Sequence, residues 1–202
     1  MDLANTIYVF NKPYRNVLRG ALIHKINESE AQNVADLIEH YAPQLAIPDA
    51  LPYLLAVIGQ ESRFDRTAHN YNLTPWEAML GYPLDYNKGD YGLGQMKLKY
   101  VKVSADSPEL WGLPDIDIIE GFLYSSKWMV PKVASRYANN LRFARQLYPD
   151  DDPKWIATGF WKAGATGFKE AYKTKDGPVW RATLRHIDRV KAHYNWFKEQ
   201  LK

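Results

Sequence analysis

The run AVIGQESRFD, Ala56 to Asp65, places one carboxylate, Glu61, at the end of an otherwise apolar helical stretch. Glu61 follows Ile58 by three positions and Leu54 by seven, a spacing that puts all three on one helix face. The carboxylate therefore comes from the buried side of the helix, in its last turn. Burial disfavours the charged form and raises the pKa, the property a general acid needs near neutral pH. The plainer reading is a solvated or ion-paired Glu with Arg63 or Arg66 as its partner.

The elements that must hold Glu61 are mostly helical by pattern. Ser29 with Gln32 reads as a capping box, opening a helix whose apolar face, Ala31, Val34, Ala35, Leu37 and Ile38, ends before Pro43. Asp49 reads as the N-cap of the next helix, with Pro52 in its first turn and Leu51, Leu54, Leu55 and Ile58 at helical spacing. From Asn70 to Gly94 the chain is rich in Gly, Asn, Asp, Pro and Tyr, which predicts loop or short hairpin around one short helix. Thr74, Pro75 and Glu77 mark the start of that helix and Gly81 its end. Ile118 to Met129 reads as a helix broken or bent at Pro131, after which KVASRYANNLRFARQLY resumes. Asp152, Pro153 and Gly164 bound another helix, and Thr183 to Leu201 is a long amphipathic one.

The expected fold is thus mainly α: a single domain over 1–202 with a small loop or β-hairpin insert beside a cleft. Residues 1–28 form an N-terminal arm of unassigned structure and 29–202 the helical core. No repeat, low-complexity tract or linker-like shift divides the chain.

Of the 202 residues, 46% are apolar and 24% charged, which excludes a disordered tail. A net charge of +3 is far from the concentrated basic stripe of a nucleic-acid binder, so no nucleic-acid partner is expected. The longest apolar stretch, around LPYLLAVIG, is well short of the roughly 20 residues that span a bilayer. No secretory signal is visible in MDLANTIYVFNKPYR. Cysteine is absent, and the five His are scattered without ligand spacing, so neither a metal nor another cofactor is expected. Seven Trp and fourteen Tyr could stack on sugar rings, though most must fill the core.

Three segments in order resemble the soluble lytic transglycosylases and goose-type lysozymes, a lysozyme-like superfamily acting on peptidoglycan. ESRFDRTAHN is similar to E-S-x-F-x-x-x-A-x-S, with Glu61, Ser62, Phe64 and Ala68 in place. YGLGQM, Tyr91 to Met96, is similar to G-L-M-Q, with Gly94 where Met is usual. FWKAG and TLRHIDRV stand where A-Y-N-A-G and T-x-x-Y-V-x-x-V are expected. Asn70 therefore replaces a Ser, Trp161 and Lys162 a Tyr-Asn pair, and His186 a Tyr.

The resemblance implies a lysozyme-like fold with Glu61 as the single catalytic acid/base. It also implies that Gln95 lines the sugar site, that Gly92 and Gly94 let backbone approach the glycan, and that Tyr91, Asn70, Trp161 and His186 contribute to substrate binding. One Glu would protonate the bond between N-acetylmuramic acid and N-acetylglucosamine, then take a proton from the muramyl C6 hydroxyl to close a 1,6-anhydro ring. A goose-type hydrolase needs instead a second acid to activate water, for which Asp90 and Asp85 are the candidates. Lys97 stands where goose-type enzymes carry an Asp, which favours the transglycosylase.

Plainer roles stand beside these. Glu77 caps its own helix, Asp90 sits in a turn, and the glycines serve a hairpin. Gln95 is then a surface amide, Trp161 packs in a core, and His186, flanked by Arg185 and Asp188, is a surface residue. A different class also stays open: an inactive glycan-binding or virion structural protein. The expected partner is the peptidoglycan glycan strand, and the expected site of action the bacterial cell wall. With no signal visible, delivery points to a phage-encoded protein, either virion-borne and partnered by virion components or released by a holin. A secreted bacterial enzyme lacking its leader would look the same.

Overall fold

A computed structural model describes residues 2–16, 21–80 and 85–202. It is mainly α-helical with a small antiparallel sheet of short strands, the class that the helical patterning predicts. In chain order come α1 (Leu3–Phe10), β1 (Tyr14–Asn16), β2 (Ala21–Ile23), α2 (Glu28–Tyr41), α3 (Ala50–Ser62), β3 (His69–Asn70), α4 (Pro75–Met79), β4 (Asp90–Tyr91) and β5 (Met96–Lys97). Then follow α5 (Leu98–Val101), α6 (Asp115–Ile118), α7 (Ser126–Leu147), α8 (Pro153–Ala163), α9 (Ala165–Thr174) and α10 (Gly177–Gln200). Among the described residues, no single helix is long and apolar enough to cross a membrane.

The chain forms two compact units, Met1–Leu37 with Glu61–Pro131, and Ile38–Gln60 with Lys132–Lys202. The dividing points fall inside α2, α3 and α7. Each boundary lies within a continuous helix, so no linker-like stretch marks it in the composition.

In the first unit the sheet has the order β1-β2-β3-β4-β5, every pair antiparallel. The N-terminal arm, left unassigned by pattern, supplies α1 and two of the five strands. Ala21 pairs with Asn70 and Leu22 with His69, so the arm is bound directly to the segment that follows Glu61. In the second unit α8, α9 and α10 pack on one another. Phe160 and Phe168 meet edge to face at 5.2 Å in a cluster with Ala144 and Ile156. Gly159 permits that approach, since a Cβ there would lie 2.2 Å from the Phe168 ring.

Several local expectations hold. Thr74 and Glu77 form a reciprocal capping box on α4. Asp152 caps α8 by accepting the Lys154 N–H, with Pro153 in the first turn and Gly164 at the end. Others shift. The box that opens α2 is made by Asn27 and Glu30, whose side chains each accept the other's backbone N–H at 3.0 and 2.9 Å. Gln32 instead donates to Asp36 one turn on. Asp49 does stand at the N-cap position of α3, its carbonyl accepting the Tyr53 N–H at 3.2 Å, but its carboxylate accepts from Tyr194 and Lys198 at 2.8 and 2.7 Å, and the Lys198 ammonium holds its pKa below the ordinary value.

Pro131 does not break its helix, because α7 runs from Ser126 through it to Leu147. At the sixth position of a helix the missing N–H removes a single intrahelical bond. The interruption falls instead at Tyr124 and Ser125, after a π-helical turn over Ile119–Leu123. There the Ser125 carbonyl accepts the Met129 N–H at 2.8 Å and opens the new helix. The last helix begins at Gly177, six residues before Thr183, and α9 is an element the pattern does not announce. The expected stop at Gly81 lies outside the described residues.

Candidate functional site

Glu61 is the penultimate residue of α3 and is half-buried, on the same helix as the fully buried Leu54, Leu55 and Ile58. The helix stops abruptly because Arg63 and Phe64 both take left-handed backbone, with φ of 51° and 68°. Two consecutive non-glycine residues in that region cost on the order of 1 to 3 kcal/mol each. Surrounding structure must therefore hold them. Ser62 Oγ accepts the Phe64 N–H at 3.1 Å, and the Phe64 ring is fully buried.

Asp65, itself 3% exposed, fixes the next step of the chain. Its Oδ2 accepts the His24 backbone N–H at 2.6 Å and lies 3.1 Å from His24 Nδ1. Its Oδ1 accepts the Thr67 N–H and hydroxyl, both at 2.8 Å. Beyond it the Ala68 carbonyl accepts two bonds from the YGLGQM turn, the Gly92 N–H at 2.8 Å and Gln95 Nε2 at 3.0 Å. Gln95, at a left-handed φ of 46°, also donates from Nε2 to the Gly92 carbonyl at 3.0 Å. The sheet continues this tie, pairing His69 with Tyr91 and Asn70 with Asp90. The two segments that carry Glu61 and Gln95 are thereby bolted together within one unit.

The remaining expected residues divide sharply. Asn70 lies on β3 and its Oδ1 accepts the Asn72 N–H at 3.0 Å, an Asx turn. Tyr91 is a correction, because it is fully buried and cannot stack on a sugar. Its hydroxyl donates to the Tyr86 carbonyl at 3.0 Å, its ring meets Tyr71 and Tyr124 edge-on, and burial raises its pKa. Gly92 is likewise buried, and the backbone it approaches is that of the protein: a Cβ would lie 1.9 Å from the Leu123 carbonyl oxygen.

Both candidate second carboxylates have structural work. Asp90 pairs with Lys97 at 3.2 Å and accepts from Asn72 Nδ2 at 2.6 Å. Asp85 is exposed and caps the 3-10 turn Tyr86–Lys88, accepting the Asn87 N–H at 3.0 Å. Arg63 donates to the Lys12 carbonyl at 2.9 Å, while Arg66 reaches the Tyr124 carbonyl and Glu30. Among the described residues, no group of three or more His, Cys, Asp or Glu side chains could hold a metal ion.

Trp161 and His186 belong to the second unit. Trp161 stacks on the buried Tyr137 with centroids 4.7 Å apart, a packing role. His186 is a correction: it is 7% exposed on α10, and burial, with Lys162 and Arg189 adding, lowers its pKa to about 4 from 6.5. A depressed pKa keeps the native imidazole neutral, so its share of stability is complete above pH 6.5 and is lost as pH falls towards 4. His186→Gln cannot titrate. The stability gap between wild type and this variant should change by on the order of 3 kcal/mol between pH 7 and pH 4, measured by urea denaturation. A gap independent of pH would show that His186 is not held neutral.

Compared with protein-family models, curated proteins and solved structures, the chain has no match in any of the three. Two residues that bind the chain around the end of α3 escaped sequence reasoning. Asp65 had a local signal, an Asp two before Thr67 after a helix end. Asn11 had none, as its partners lie 13, 15 and 52 residues away.

Proposed function

We propose that the protein is a peptidoglycan lytic transglycosylase of lysozyme-like fold, with Glu61 as its only acid/base. The observation that carries this reading is the joining of ESRFDRTAHN to YGLGQM through the Ala68 carbonyl. It brings two of the resembling segments into one braced loop pair at the end of α3. A half-buried carboxyl there suits proton transfer better than a solvated one.

In the proposed reaction Glu61 gives its proton to the glycosidic oxygen as the bond from muramyl C1 breaks. The Glu61 carboxylate then takes the proton of the muramyl C6 hydroxyl as O6 bonds to C1. Glu61 ends protonated, no water is consumed, and the leaving N-acetylglucosamine carries a free hydroxyl. The ties of Asp90 to Lys97 and Asn72, and of Asp85 to its turn, leave a hydrolytic second carboxylate without support. Action on the bacterial cell wall follows from the substrate.

Mass spectrometry of soluble products from purified peptidoglycan tests this directly. Muropeptides ending in 1,6-anhydro-muramic acid are the expected result. Reducing ends, heavier by one water, would make the protein a hydrolase and return attention to Asp90 and Asp85. No products would favour a glycan-binding or virion structural role.

A further inference from the structure

The N-terminal arm grips the strained turn that follows Glu61, and it does so at four points. Asn11, 2% exposed, donates from Nδ2 to the Arg63 carbonyl at 2.8 Å and to the His24 carbonyl at 3.1 Å, while its Oδ1 accepts the Ile26 N–H at 3.1 Å. Phe10 sets its ring edge-on against Phe64, centroids 5.6 Å apart. The Lys12 carbonyl accepts from the Arg63 guanidinium at 2.9 Å, and that guanidinium lies over the Tyr14 ring at 5.8 Å. Four of these contacts, one each from Phe10, Asn11, Lys12 and Tyr14, fall on Arg63 and Phe64, the two consecutive left-handed residues. Asn11 also holds the His24 to Ile26 segment, whose first residue Asp65 grips from the other side.

We infer that Asn11, assisted by Phe10, is a positioning residue for the proposed acid: the arm holds the Arg63 to Phe64 turn in left-handed backbone and so fixes where α3 ends and where Glu61 projects. This inference rests on Glu61 being the acid/base. A helix end relaxed by one residue moves a penultimate side chain by more than the displacement that costs a reaction about 100-fold. The amide is specific to the task, because one buried side chain must donate to two carbonyls and accept one N–H.

Asn11→Asp keeps the shape and the acceptor for Ile26 but cannot donate to Arg63 or His24. Its kcat on soluble glycan strands should fall about 100-fold with KM changed less than about threefold. In a Glu61→Gln background the same substitution should cost nothing further, because there is no acid left to misplace. Phe10→Ala, at a partly exposed position, should lower kcat in the same sense without threatening the fold, and serves if Asn11→Asp does not fold by circular dichroism. Folded variants with wild-type kcat, or with KM alone altered, would overturn the inference while Glu61→Gln stays inactive. If Glu61→Gln itself retains turnover, the assignment of the acid is wrong and the role of Asn11 falls with it.

Discussion

Glu61→Gln should reduce release of soluble muropeptides by at least about 1,000-fold while glycan binding stays near wild type. The substitution is nearly isosteric. It removes the ionisable carboxyl of a half-buried side chain in the last turn of α3 and leaves the buried Leu54, Leu55 and Ile58 untouched. A single-carboxylate mechanism uses that carboxyl twice, once as the acid that releases the leaving sugar and once, after losing its proton, as the base that accepts the C6 proton, so both steps fail together. A binding module would be indifferent to the change. Unchanged wall lysis by a variant that melts like wild type would defeat the reading, whereas lost lysis with lost binding would make Glu61 a ligand contact instead. Turbidity of cell-wall suspensions gives the rate and co-sedimentation with peptidoglycan gives the binding.

What the sequence disclosed about this site follows the range of the interactions involved. Glu61 at a helix end is legible because 3.6-residue spacing from Leu54 and Ile58 is local information. The caps made by Thr74 with Glu77, and by Asp152, are legible for the same reason. The arm's two strands were not, since strands of three residues are too short for an alternating pattern to show: β1 pairs with β2, and β2 is fixed in turn by pairing with a segment some fifty residues on.

Tyr91 and Gly92 match a motif, yet the chemistry that demands them is the protein's own: a buried phenol donating to Tyr86, and a backbone pressed against Leu123. His186 teaches a different lesson. Its sequence neighbours Arg185 and Asp188 suggested the surface, but residues adjacent in a helix point to other faces. The buried Thr183 and Val190, three before and four after, share its face and carried the correct signal.

Gly92→Ala should destabilise the protein by about 3 to 5 kcal/mol, a large share of the roughly 5 to 15 kcal/mol that holds a domain folded. Gly92 has φ of 70°, which an L side chain adopts only with strain. Steric overlap costs more than that strain, because the new Cβ would lie 1.9 Å from the Leu123 carbonyl oxygen and 3.0 Å from its carbon and from Met129 Cε. That oxygen belongs to backbone of the π-helical turn and cannot rotate away as a side-chain tip could. Nor can the Gly92 turn retreat freely, because its N–H and Gln95 Nε2 both hold the Ala68 carbonyl. Relief would break the tie between the Glu61 and Gln95 segments, so activity should fall further than the unfolded fraction explains. Gly121→Ala is the matched control, since a Cβ there meets nothing within 4 Å. Urea midpoints for the pair decide it: a Gly92→Ala midpoint no lower than that of Gly121→Ala would mean that the turn relocates, and that Ala68 is not the point on which the site is braced.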